Sequence, residues 1–223
     1  MIFYVGDTHG QLDAIKKIEK EAEEAGAKVI VQVGDFGVHF TNDCKVAAWC
    51  DERKSGLTWV TCGGNHDNWP VWRSRSKVNL FGEKVIQLAQ GCFFAERGTV
   101  LNLGGVKHLF FGGAESTDKV YRTEGVDWWA EETPNQDEAL VFFDSLQNHN
   151  PEVVVTHDAP LRVVLGRMNR DNSPTPRTLE NVLKHSDYAP ARWYFGHHHV
   201  KEEWDIEGTK FYCCGLHGDY YVK

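Results

Sequence analysis

A chain of 223 residues, 41% hydrophobic and 25% charged, is long enough to close one full core, and a single domain over residues 1–223 is expected. Its formal net charge of −8 argues against an extended nucleic-acid surface, which works by neutralising many phosphates. No apolar run approaches the ~20 residues that span a bilayer and no signal-like segment opens the chain, so a cytoplasmic place is expected, with the six cysteines as reduced thiols.

Taken in order, Ile2 to Val5 reads as a strand. Leu12, Ile15, Ile18, Ala22 and Ala25 then recur at helical spacing, and Gly26 ends the helix. Residues 28–33 give a second strand, 43–54 a helix carrying Val46, Ala47, Trp49 and Cys50 inward, and 57–61 a third strand. This alternation implies parallel pairing through right-handed crossovers, an α/β layer. The segments 84–88, 92–95, 99–103 and 108–111 predict antiparallel hairpins or a meander. Residues 114–134, polar and without a period, predict a long loop that could cover a cleft. A helix at 136–148, a strand at 153–156, helical segments at 161–168 and 178–185, and strands at 192–195, 201–206, 209–214 and 220–222 complete the reading.

Five of the apolar runs end in the same kind of residue. They deliver Gly6-Asp7-Thr8-His9-Gly10, Gly34-Asp35, Gly63-Gly64-Asn65-His66-Asp67, His157-Asp158 and Gly196-His197-His198-His199. Ligands of α/β sheets bind outside the carboxyl ends of the strands. A shared crevice there would hold Asp7, His9, Asp35, Asn65, His66, Asp67, His157, His197 and His199. Oxygen and imidazole nitrogen without thiolate suit two divalent transition ions, with manganese expected and iron, cobalt, nickel or zinc accepted by the same donors. Taken alone, Asp67 is as well read as a helix N-cap. Arg73, Arg75 and Lys77, and Arg162, Arg167, Arg170 and Arg177, are either solvated helix faces or local positive charge for phosphate. Trp69, Trp72, Trp128 and Trp129 are either packing residues or platforms for a nucleobase.

These ordered blocks, from residue 6 to residue 199, resemble those of the calcineurin-like metallophosphoesterases. The resemblance implies a sandwich of mixed β-sheets flanked by helices, with the site at the carboxyl ends of the strands. It implies that Asp7, His9 and His199 hold one metal ion, that Asn65, His157 and His197 hold a second, and that Asp35 bridges them. His66 would then face the leaving group, oriented by Asp67, while His198 points away as a bystander. Two carboxylates against two divalent ions leave about +2, which draws a phosphate ester into an acidic protein. The implied reaction is attack on phosphorus by a hydroxide held between the ions.

The chain departs from the protein serine/threonine phosphatases of that superfamily. Its second block reads Gly34-Asp35-Phe36-Gly37-Val38-His39-Phe40, so His39 stands where a phosphate-binding arginine would be, and the third block ends in Asp67. The expectation is therefore a phosphodiesterase acting on small, nucleotide-like substrates, with His39, Arg162 and Arg167 as substrate contacts. The alternative is a phosphomonoesterase or protein phosphatase. A non-catalytic module on the same fold would be expected to lose ligands or His66, and this chain keeps them all.

Overall fold

The computed structural model describes residues 1–38, 44–168 and 173–223, with residues 167 and 168 described by their backbone. Two mixed sheets pack face to face. The first has the order β13 (Tyr220–Val222), β1 (Ile2–Val5), β2 (Val29–Gln32), β3 (Thr58–Thr61), β6 (Cys92–Phe94), β5 (Glu83–Ala89) and β4 (Lys77–Leu80). The second runs β11 (Lys201–Ile206), β12 (Thr209–Cys214), β10 (Arg192–Phe195), β9 (Val153–Thr156), β8 (Val106–Phe111) and β7 (Val100–Leu103). Each sheet has a parallel centre, β1-β2-β3-β6 in one and β12-β10-β9-β8 in the other, and antiparallel edges.

Strands buried on both faces favour near-continuous apolar runs, and the central strands have them over most of their length. In β1, Phe3 and Val5 point to the helices while Ile2 and Tyr4 point to the other sheet. In β9, Val153 and Val155 face the sheet interface and Val154 the opposite helical layer. The first sheet is covered by α1 (Leu12–Glu24), α2 (Lys45–Glu52) and α3 (Trp69–Arg73). The second is covered by α4 (Gln136–His149), the single turn α5 (Leu161–Val163) and α6 (Pro174–His185).

The expected mixed-sheet sandwich with helical flanks is therefore present, with three local differences. The region 83–111 is not one meander. β5 and β6 form a hairpin whose second strand joins β3 in parallel, and the chain then crosses to the other sheet, where the β7-β8 hairpin joins β9 in parallel. The strand β4 forms at Lys77–Leu80, where the basic residues suggest only local charge. The last helix begins at Pro174 rather than at 178, because proline at the first helical position lacks only an N–H that has no intrahelical acceptor there.

Candidate metal centre

Each of the five polar blocks sits at the carboxyl end of a parallel strand: those after β1, β2 and β3 on one sheet, those after β9 and β10 on the other. The site is built across the seam between the two sheets. Backbone strain is concentrated there. Among the described residues, eight non-glycine residues have positive φ, and four of them are His9 (44°), Asp35 (56°), His197 (63°) and His199 (57°). The left-handed region is costly for side-chain-bearing residues and persists where surrounding structure holds it. Glycine is required where the strand ends touch. A Cβ on Gly64 would overlap Asp35 Oδ1, and one on Gly196 would overlap Asp7 Oδ1.

Two groups of donor atoms converge. In the first, His9 Nε2 and His199 Nε2 lie 3.1 Å apart, with Asp7 Oδ2 3.2 Å from His199 Nε2 and 3.9 Å from His9 Nε2. In the second, Asn65 Oδ1 lies 3.0 Å from His157 Nε2 and 3.1 Å from His197 Nδ1. Asp35 stands between the groups, its Oδ2 3.4 Å from His157 Nε2 and 3.8 Å from His9 Nε2. Its Oδ1 accepts from the backbone N of His66 at 2.8 Å, and both oxygens of Asp7 accept from His197 N. Asp7, Asp35, His157 and Asn65 are buried, while His9 and His199 reach solvent.

The donor set fits a bound cation. His157 Nδ1 is 2.8 Å from the carbonyl of Val33, so Nδ1 carries the proton and Nε2 faces only the oxygens of Asn65 and Asp35. Burial alone would lower the pKa of His157, but Asp35 and Asp7 reverse this and carry it up to about 10. Burial alone would raise that of Asp35, yet His157 beside it holds the carboxyl well below the usual carboxylate range. The pocket around His157 Nε2 thus demands positive charge, which a metal ion supplies in exchange for the proton. Burial pushes His197 down to about 4, leaving a neutral imidazole, the form that ligates. Asp7 with His9 and His199, His9 with Asp35 and His66, and Asp7 with Asp35 and His157 are each spaced so that they could share an ion.

Other expected site residues stand elsewhere. The Asp67 carboxylate does not meet His66. It accepts from the backbone N of Gly64 (2.8 Å), Asp35 (2.9 Å) and Gly37 (3.3 Å), knitting the ends of β2 and β3 together. It is not the cap of α3 either, since Asn68 accepts from Val71 N there. Arg162 is paired with Glu180 and Glu207, and none of these bonds reaches the two donor groups. His39, Arg170 and the side chain of Arg167 lie outside the described residues. Trp69 and Trp72 are fully buried and cannot stack on a ligand. His198 does turn away, with Nε2 3.0 Å from Asp158 Oδ1.

The segment 114–134 brings residues that no motif announces. Asn65 Nδ2 donates to Ser116 Oγ at 3.1 Å, and Glu132 in turn accepts from Ser116 Oγ (2.8 Å) and Ser116 N (2.6 Å). This chain fixes the amide so that its oxygen faces the two imidazoles. Arg122 Nη1 lies 2.9 Å from His66 Nδ1. A guanidinium can only donate, so Nδ1 accepts and the proton of a neutral His66 sits on Nε2. The pKa of His66 is lowered, first by burial and further by Arg122, against the pull of Asp35. On another side, exposed His217 places its ring 6.1 Å from that of His9 and donates its backbone N–H to Asp7 O. The one advance sign of any of these is the length of the loop.

Solved structures share this architecture. TT1561 of Thermus thermophilus is 16% identical with a TM-score of 0.56, covering 97% of this chain and 89% of that one. GAP50, the anchor in the inner membrane complex of Plasmodium, is 13% identical with a TM-score of 0.54, covering 96% of this chain and 70% of that one. A novel archaeal phosphodiesterase is 11% identical with a TM-score of 0.46, covering 96% and 83%. None of the curated proteins compared with the chain matches it. At these identities the likenesses to TT1561 and GAP50 show the fold alone. The family model for calcineurin-like phosphoesterases matches residues 1–201, a range that contains all five polar blocks: the chain belongs to the calcineurin-like phosphoesterase family.

Proposed function

We propose that the protein is a dinuclear metal-dependent phosphoesterase, with phosphodiesterase activity on small, nucleotide-like substrates. The observation that carries this reading is the placement of Asp35, whose one carboxylate oxygen faces both donor groups. Asp7, His9 and His199 would hold one ion, Asn65, His157 and His197 the other, and Asp35 would touch both. When bound, the ions supply positive charge for the phosphoryl oxygens and activate water near neutral pH. Manganese is the proposed metal, since this oxygen and nitrogen set suits it.

The remaining work falls to the chain. Buried Asp7 and Asp35 contribute negative charge to the site without cancelling the charge of two divalent ions, and neutral Asn65 contributes none. His66 stands close to His9, ring centroids 5.2 Å apart, and holds its proton on Nε2. That Nε2–H is the group placed to donate a hydrogen bond to the leaving-group oxygen and stabilise the charge that develops there. The test is hydrolysis of bis-p-nitrophenyl phosphate against p-nitrophenyl phosphate by metal-stripped protein refilled with manganese, with His66→Ala alongside. Diester preference, with kcat reduced roughly 100-fold or more in the variant through loss of that hydrogen-bond donor, is expected. Preference for the monoester would replace this reading by a phosphomonoesterase. A protein that takes up metal and cleaves neither ester would end it.

A further inference from the structure

We propose that His217 is a substrate-binding residue, donating a hydrogen bond to an oxygen of the phosphate ester from the side of the first donor group. The inference rests on the phosphoesterase reading above and adds a residue to its binding surface. It begins from topology. β12 runs parallel to β10, so its carboxyl end opens on the same edge of the second sheet as His197 and His199. The chain leaves β12 through Gly215-Leu216-His217, beyond the residues that the family model matches.

The turn is pressed against the block that carries Asp7. Asp7 N donates to Gly215 O at 3.2 Å, His217 N to Asp7 O at 2.8 Å and Gly6 N to Asp219 O at 3.1 Å. The approach is so close that a Cβ on Gly6 would overlap the carbonyl oxygen of Gly215. His217 itself is held in the left-handed region, with φ 49°, a conformation that persists where the surrounding structure imposes it. What this backbone presents at the rim is an imidazole. Its ring meets that of His9 edge-on, the centroids 6.1 Å apart and the planes at 82°. The residue is exposed, and among the described residues neither ring nitrogen has a hydrogen-bond partner. Packing therefore does not account for the side chain. Metal ligation does not either, since the donors spaced to share an ion come from Asp7, His9, Asp35, His66, His157 and His199. An imidazole carries at least one N–H donor whether neutral or protonated. Beside the first donor group yet outside it, that donor is suited to an oxygen of the phosphate ester, to which the carboxylates of Asp7 and Asp35 can donate nothing.

Two measurements on manganese-loaded protein separate the outcomes: kinetics on whichever of bis-p-nitrophenyl phosphate and p-nitrophenyl phosphate is cleaved better, and calorimetric titration with inorganic phosphate. The variants are His217→Gly, which removes the ring and suits the backbone, and His217→Asn, which keeps a donor and tolerates the left-handed conformation. In His217→Gly, KM should rise and phosphate affinity fall, each by roughly 10-fold, the worth of a hydrogen bond to a charged group. The change in kcat should be smaller, and manganese per chain should stay at the wild-type count. His217→Asn should recover part of both losses. Thermal melting of each variant checks that it is folded. Wild-type KM and phosphate affinity in His217→Gly would overturn the proposal and leave the phosphoesterase reading standing. So would loss of manganese from that variant, which would mark His217 as a support of the metal centre through Asp7. Wild-type protein inert on both esters would remove that reading and this proposal together.

Discussion

Asn65 shows how much a single amide depends on what lies behind it. An asparagine can present oxygen or nitrogen to the same point, and only a donor and acceptor arrangement around it decides. Here Nδ2 is claimed by Ser116, whose hydroxyl is claimed by buried Glu132. Glu132→Gln keeps the volume but can turn a donor towards Ser116, loosening the choice. Metal affinity should fall roughly 10- to 100-fold, as for other supports of ligating residues. Bound manganese counted by elemental analysis after dialysis should drop from two ions per chain towards one. Two ions retained would show that Asn65 holds its orientation unaided. The proposed ligands themselves are legible in the sequence, because a β-prone run, a glycine and a carboxylate or imidazole are adjacent in the chain. Ser116, Arg122 and Glu132 are not. Ser116 meets Asn65 across 51 residues and Arg122 meets His66 across 56, and a hydrogen bond over such a gap leaves no local pattern. Asp67 misleads for a related reason: adjacency to His66 suggests a partnership, whereas its acceptors satisfy three backbone amides that would otherwise be buried without one.

At the level of elements, the segment 114–134 is held by side chains rather than by a sheet. Its regular parts are two short 3-10 turns, Lys119–Tyr121 and Ala130–Glu132. Arg97, just after β6, supplies the anchor: Nε donates to Gly112 O, Nη2 to Glu131 O and Glu132 O, and Nη1 to Glu138 on α4, while the guanidinium lies 4.1 Å from the centre of the Trp69 ring. Arg97→Gln would free those carbonyls while leaving both sheets paired. Amide hydrogen exchange across 114–134 should then accelerate, with β1 and β9 unchanged, and trypsin should cut sooner at Lys119 and Arg122. Unchanged exchange in that segment would show that Ser116 and Glu132 suffice to hold it. The strands and helices are readable from periodicity, but their assignment to two sheets is not. The residues that carry the chain from β6 to β7 look like any short hairpin connection, and which partner a strand takes is decided by distant β3 and β9.

For the molecule as a whole, acid should weaken the fold through a group far from the metal centre. His108 is buried, its Nδ1 2.9 Å from Val106 O and its Nε2 accepting from Tyr4 Oη at 2.7 Å, so it is neutral in the folded protein. Burial pushes its pKa down to about 4. Unfolded, it would protonate near 6.5. Between these values the unfolded chain binds the extra proton, so stability falls as pH drops from about 6.5 to about 4, by roughly 3 kcal/mol for this residue. Urea unfolding of His108→Gln should show a shallower pH slope in that window than wild type, whatever its stability at pH 7. Equal slopes would remove His108 from the account. Metal should act in the opposite direction. Manganese at 100 times its dissociation constant adds about 2.7 kcal/mol by mass action, and a chain of this length gains roughly 2–4 °C per kcal/mol. Chelation should therefore lower the melting temperature by about 5–10 °C, read by calorimetry.

Each donor group takes residues from both halves of the sandwich. Asp7 and His9 follow β1 and are joined by His199 from beyond β10, while Asn65 follows β3 and is joined by His157 and His197 from beyond β9 and β10. The edge that carries the candidate metal centre is thus also a clasp. Occupancy of the site and the fit of one sheet on the other form a single equilibrium, so any substitution that lets the sheets slide in the distant interior, among Tyr4, Tyr194 and Tyr212, should register first as faster loss of metal.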